Sequence, residues 1–112
     1  MKLRTETDIK AEIQETLDKL GIPRWRMQAG GYRGRTRGLP KGTPDILAAP
    51  EYRGVPLYLW IEVKKPGEEA TDEQWAFRNR MTRRGHYWIM ATCKEDVLKW
   101  LDESKDLGLT QE

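Results

Sequence analysis

The sequence predicts an α/β domain in which a small mixed sheet is flanked by helices, in the order α-β-β-β-α-β-α. Three observations point there. Near the N-terminus Ile9, Ile13, Leu17 and Leu20 recur at helical spacing. Residues 57–64 instead alternate, with Leu57, Leu59, Ile61 and Val63 set against Tyr58, Trp60, Glu62 and Lys64. Two spaced pairs, Thr71 with Gln74 and Thr92 with Glu95, have the form of capping boxes that open helices.

The first helix is expected from about Glu6 to Leu20, with Thr5 and Asp8 as capping pair and Gly21 then Pro23 as its stop. Arg24 to Gln28 alternates polar and apolar residues and reads as a short strand. Residues 30–42 hold five of the ten glycines and four basic residues without periodicity, which describes a basic loop. Asp45 to Ala49 is a brief apolar strand closed by Pro50, and Glu51 to Pro56 reads as a hairpin turn with Gly54 at its flexible point. The strand over Leu57 to Lys64 ends at Pro66-Gly67. A helix then runs from Thr71 to about Arg84, with Trp75, Ala76 and Met81 on its expected buried side. His86 to Thr92 forms a last strand, and a final helix carries Val97, Leu98, Trp100 and Leu101.

At 112 residues and 38% hydrophobic content the chain is expected to form one domain, residues 1–112, around one small core. It has one His (His86), one Cys (Cys93) and one Ser (Ser104). A four-ligand Cys/His zinc site and an internal disulfide are therefore excluded, and a Ser-His-Asp triad would have to use Ser104 in a polar C-terminal stretch. Any enzymology must run on carboxylates, lysine and a bound metal. No apolar run approaches the roughly 20 residues of a membrane span, and MKLRTETDIK lacks a signal-peptide core, so a cytoplasmic protein without membrane contact is expected. Net charge is only +2, but it is segregated. Arg24, Arg26, Arg33, Arg35, Arg37 and Lys41 lie in a stretch without acids, while the last eighteen residues carry six. The basic stretch is where a polyanion would land.

Pro44-Asp45, then sixteen residues, then Glu62-Val63-Lys64 is the constellation that carries chemistry. Alternation puts Glu62 and Lys64 on one strand face, roughly 6–7 Å apart. Asp45 begins the neighbouring strand, so hairpin pairing brings its carboxylate beside that of Glu62. Two convergent carboxylates make the hard-oxygen site that Mg²⁺ accepts, with water completing the shell. A cation there polarises a phosphoryl oxygen and acidifies water, and Lys64 can orient that water or stabilise the phosphate charge. Phosphodiester hydrolysis needs nothing more.

Those residues resemble the PD-(D/E)xK nuclease signature. More narrowly, Glu12-Ile13-Gln14, Gly42-Thr43-Pro44-Asp45, Glu62-Val63-Lys64-Lys65-Pro66-Gly67 and Thr71-Asp72-Glu73-Gln74 resemble the virus-type replication–repair nuclease (VRR-NUC) family, in order, from about Ile9 to Leu101. The resemblance implies a restriction-endonuclease-like αβββαβ core with an added C-terminal helix. It implies a Mg²⁺ or Mn²⁺ site at Asp45, Glu62 and the Val63 carbonyl, and Lys64 as the catalytic lysine. It also implies an acid from the first helix, which maps to Glu12, and Gln74 near the site. Helical geometry leaves a choice at the acid, because Glu12 sits on the margin of the apolar stripe and Glu6 lies closer to its centre. Gln74 also has a capping role to fill.

The basic loop suits a phosphate-tracking arm, with Arg33, Arg35, Arg37 and Lys41 on the backbone and Tyr32 free to stack. Five or six neutralised phosphates would give a log K against log salt slope of about −5. Lys65 offers a further phosphate contact, and Arg78, Arg80, Arg83 and Arg84 extend the surface. His86, Cys93 and Gln28 read as packing or strand residues. Stand-alone members of the family resemble dimeric, often phage-encoded enzymes that cut branched DNA, so the resemblance implies a homodimeric four-way (Holliday) junction endonuclease. A nuclease on flaps or linear DNA, and a DNA-binding module with a vestigial site, are the alternatives.

Overall fold

The computed structural model describes residues 4–27 and 39–104. The first helix, α1 (Glu6–Lys19), opens on the expected box: Thr5 Oγ1 accepts the Asp8 N–H (3.1 Å) and the Asp8 carboxylate accepts the Thr5 N–H (3.0 Å). Ile9, Ile13 and Leu17 are buried, whereas Leu20 lies past the last helical residue and is exposed.

Four strands, β1 (Arg24–Arg26), β2 (Ile46–Ala48), β5 (Leu59–Val63) and β6 (Tyr87–Ala91), form one sheet in the order β1-β2-β5-β6. The first two pairings are antiparallel and β5–β6 is parallel. A parallel pair needs a crossover, and α2 (Asp72–Thr82) supplies it. The predicted turn at Glu51–Pro56 is a small hairpin of its own, β3 (Glu51–Tyr52) with β4 (Val55–Pro56). Its two central residues, Arg53 (φ 53°) and Gly54 (φ 82°), both take the left-handed geometry that matches strand twist.

All five residues of β5 are buried, so both sheet faces are covered. Ile46, Ala48, Leu59, Ile61, Val63 and Ala91 point to one face, where Ile9, Ile13 and Leu17 of α1 meet Val97 of α3 (Lys94–Ser104). This is the main core. The opposite face carries Trp60 and Glu62 and is covered by α2. There the sequence expectation needs correcting, because Phe77, not Trp75, Ala76 or Met81, is the buried residue of the helix. Its ring meets Trp60 edge-on at 4.9 Å. Trp75 lies two residues back, about 160° around the helix, and leans on Trp88 from the flank while remaining 42% exposed.

The start of α3 also differs from expectation. Thr92 does not cap through Glu95; instead its N–H (2.8 Å) and hydroxyl (3.2 Å) both donate to Asp96 Oδ2. The helix begins at Lys94, so the side chain that reaches back from its first turn is one residue later. The α/β architecture itself, a small mixed sheet flanked by helices, is the one the sequence predicts.

Candidate active site

Asp45 stands where β2 is about to begin. Continuing the register Ile46↔Ile61 by one step sets Asp45 opposite Glu62, on the same sheet face. Here the side chain takes over from the backbone ladder. Asp45 Oδ2 accepts the Val63 N–H at 2.8 Å, and Oδ1 lies 3.3 Å from Lys10 Nζ of α1. Its carbonyl accepts the Met27 N–H (2.8 Å), tying the site to β1 as well.

The loop before Asp45 is fixed by close approach. Thr43 is buried and donates through both its hydroxyl (2.6 Å) and N–H (3.1 Å) to the Pro40 carbonyl. Gly42 takes φ +89° with its Cα against the Glu73 carbonyl, a place where a side-chain carbon would collide with α2 backbone. That contact holds the first turn of α2 beside the Asp45 loop. From that turn Gln74 Nε2 donates to Glu62 Oε2 at 3.1 Å. Gln74 Oε1 meanwhile accepts the Thr71 N–H (2.8 Å), so one amide both closes the capping box and orients a site carboxyl.

Among the described residues Glu62 is the most perturbed group. It is 5% exposed, and its Oε1 is buried with no donor facing it among the described residues, the Asp45 carboxyl being close enough to share a hydrogen bond with it. Burial, then the negative charge of Asp45, pushes its carboxyl up to about 8, against the pull of Lys64. A buried oxygen without a donor, beside a second carboxylate, is an arrangement that a divalent cation would complete. Lys64 follows on the same face. Its N–H donates to the Ala91 carbonyl (3.0 Å), and its half-buried side chain makes no hydrogen bond or ion pair among the described residues.

The fold thus brings together Asp45, Glu62, Lys64 and Gln74, and the Val63 backbone with them. Glu12 is not in this group. Burial resists its ionisation, but the Arg4 guanidinium at 3.1 Å and Lys94 hold its carboxyl below the usual range. Glu6, six residues earlier on α1, is the acid that feels the site. Its carboxyl is raised first by burial, then by a hydrogen bond to Glu68 and the charges of Glu68 and Asp45, while Lys64 opposes. Lys10 and Glu68 went unnoticed in the sequence. Lys10 is four residues after Glu6 on one helix face, a spacing that signals a shared neighbourhood. Glu68 is an exposed loop acid with no pattern to mark it, held low by the Lys65 N–H (2.7 Å).

Lys65 and Lys41 are both exposed. Tyr32, Arg33, Arg35, Arg37 and Gln28 lie outside the described residues. His86 is a packing residue as read, its Nδ1 accepting the Trp60 indole N–H at 2.9 Å. No group of three or more His, Cys, Asp or Glu side chains is placed to hold a metal among the described residues. A cation here would rest on two carboxylates, backbone oxygen and water, which suits Mg²⁺. No helix among the described residues is long and apolar enough to cross a membrane.

No family model and no curated protein matches the chain. A solved structure described as a VRR_NUC domain superposes on it with TM-score 0.64 at 22% identity, covering 87% of this chain and 94% of that one. The two share a fold.

Proposed function

We propose that this chain is a divalent-metal-dependent DNA endonuclease of the PD-(D/E)xK type. The observation that carries this reading is the Asp45–Glu62 carboxyl pair, with its partnerless buried oxygen and Lys64 on the same face, standing on a VRR_NUC fold. Asp45, Glu62 and the Val63 carbonyl would hold Mg²⁺ or Mn²⁺. When bound, the cation supplies positive charge that polarises the phosphoryl group and makes water a stronger acid.

The chain's own residues do the rest. Gln74 fixes the rotamer of Glu62 by hydrogen bonding one oxygen, which leaves the other aimed into the site. Asp45 is held by the Val63 N–H and lies 3.3 Å from Lys10 Nζ. Lys64, with a free ammonium among the described residues, orients the attacking water and neutralises charge growing on the non-bridging phosphate oxygens. Attack in line with the 3′ oxygen leaves a 5′-phosphate and a 3′-hydroxyl. Glu6 or Glu12 would supply the helix acid that the family resemblance implies, and the electrostatics favour Glu6.

The substrate we propose is branched DNA, foremost a four-way junction, cut by a homodimer. Two symmetric incisions need two sites, and a two-fold pair supplies them. Self-association would suit the exposed Leu20, Trp25, Tyr58 and Leu98, which line a groove of about 840 Å³, together with Glu51 and Asp102, at the opposite end of β2 from Asp45. Tyr32, Arg33, Arg35, Arg37, Lys41 and Lys65 would track phosphates.

The test incubates the protein with labelled four-way junction, flap and linear duplex, each with Mg²⁺, Mn²⁺ or EDTA, beside Lys64→Ala. Metal-dependent cleavage, junction first, and a loss of at least about a hundredfold in Lys64→Ala are expected. Cleavage in EDTA or none at all refutes the enzyme; an active Lys64→Ala refutes the mechanism. Light scattering that finds a monomer with full junction cleavage refutes the dimer.

A further inference from the structure

The flank of α2 carries a surface that neither the core nor the carboxyl site uses. Trp75 follows Gln74 directly, so it stands one residue from the amide that orients Glu62. A tryptophan buries more apolar area than most residues, yet this one leaves 42% of its surface to water. Its ring is nevertheless held. It leans on Trp88 of β6, with centroids 5.3 Å apart and planes at 38°, and the Arg78 guanidinium sits over the ring, 5.8 Å from its centroid. Trp75 and Arg78 are three residues apart, hence on one helix flank.

Charge continues the surface. Arg78 donates to the neutral Asn79 Oδ1 (3.0 Å), and Arg84 donates to the Arg80 carbonyl (2.9 Å). Among the described residues, none of Arg78, Arg80, Arg83 and Arg84 has a carboxylate within ion-pair distance. A half-open indole held against Trp88, one residue along α2 from the amide that orients Glu62 and followed by uncompensated cations, matches an unpaired nucleotide: a flat apolar face joined to a phosphate.

Resting on the nuclease reading above, we propose that Trp75 is a stacking platform for an unpaired nucleobase next to the scissile phosphate, with Arg78 bracing the ring and neutralising that nucleotide's phosphate. Every base has a π-face, so the platform reads no sequence. In duplex DNA those faces are covered by neighbouring pairs. Only a flap, a fork or an opened junction arm offers one. The platform therefore selects DNA structure, with discrimination built into the first turn of the helix that also orients Glu62.

The experiment measures binding in EDTA, where nothing is cut, by fluorescence anisotropy. The probes are a covalently closed, fully paired duplex minicircle and the same duplex carrying a short single-stranded flap. Trp75→Leu keeps an apolar cover over Trp88 but cannot stack; Trp75→Phe can. Trp75→Leu is expected to weaken flap binding by about tenfold, to leave the closed duplex within about twofold, and Trp75→Phe to recover most of the loss. A 2-aminopurine in the flap should be quenched by wild type and not by Trp75→Leu. Equal losses on both DNAs, or Trp75→Leu binding the flap like wild type, overturn the platform. If wild type still cleaves DNA with Mg²⁺, that failure leaves the nuclease standing. If wild type neither binds nor cuts any of these DNAs, nuclease and platform fall together.

Discussion

Replacing Glu62 by Gln isolates what the fold sacrifices to hold a carboxyl in that position. Gln has nearly the shape of a protonated Glu and can still accept from Gln74. In the metal-free wild type, burial and Asp45 raise the carboxyl from its ordinary 4.5 to about 8. Below pH 4.5 the group is protonated folded and unfolded, and no penalty arises. As pH rises toward 8 the unfolded chain releases its proton while the folded chain keeps it, so stability falls. Above 8 the penalty is complete. A tenfold change in proton affinity is worth about 1.4 kcal/mol, which caps the penalty near ~5 kcal/mol; water entering on ionisation reduces it to about 2–4. Glu62→Gln should therefore match wild type at pH 5 and exceed it at pH 9 in EDTA, by on the order of 10 °C in Tm. Thermal denaturation followed by circular dichroism across pH 5–9 is the assay. Cleavage should be lost at every pH in the same variant. A wild-type Tm that stays flat from pH 5 to 9, or a Glu62→Gln variant less stable at pH 9, would refute the buried, neutral Glu62.

Three further outcomes follow from the same geometry. Mg²⁺ binding at pH 7 should release close to one proton, since Glu62 must ionise to become a ligand; calorimetry in two buffers of different ionisation heat reads this directly. Gly42→Ala should destabilise by about 2–4 kcal/mol in denaturant melts, because the new carbon meets the Glu73 carbonyl at a positive φ. Gly85→Ala, also at positive φ but in open space, should lose only about 1 kcal/mol. Glu6→Gln should lower cleavage at least about tenfold while Glu12→Gln stays within about threefold of wild type, as initial rates on junction DNA would show.

The elements were legible in the sequence where one pattern dominated. The α1 stripe, the alternation in β5 and the Thr71–Gln74 box all point to what the chain forms. Asp45 and Glu62 could be paired on paper because two antiparallel strands joined by a short connection place their ends together. Harder to see was which aromatic of α2 turns inward. Trp75 and Phe77 are equally apolar, and the choice of Phe77 depends on Trp60 waiting beneath it. The helix acid was equally hidden. Glu6 and Glu12 differ in surroundings because Asp45 is near the first and Arg4 near the second, and both neighbours are set by tertiary packing. Gln74 looked like a residue forced to choose between cap and site, whereas the two ends of its amide serve both.

Asp45 is a ladder partner for Val63 as well as a charge, and that has a bearing on how such a protein would lose its activity. Asn at this position keeps an acceptor for the Val63 N–H and can leave the sheet intact, while Ala strands a backbone donor at the edge of the core. Lys64 has no such tie through its side chain among the described residues. On the nuclease reading proposed above, a lineage drifting from cutting DNA to merely gripping it would shed Lys64 early and retain a polar residue at 45 long after. An intact Asp45 in a relative would thus be a record of folding, and on that reading the lysine two residues past Glu62 is the better witness to catalysis.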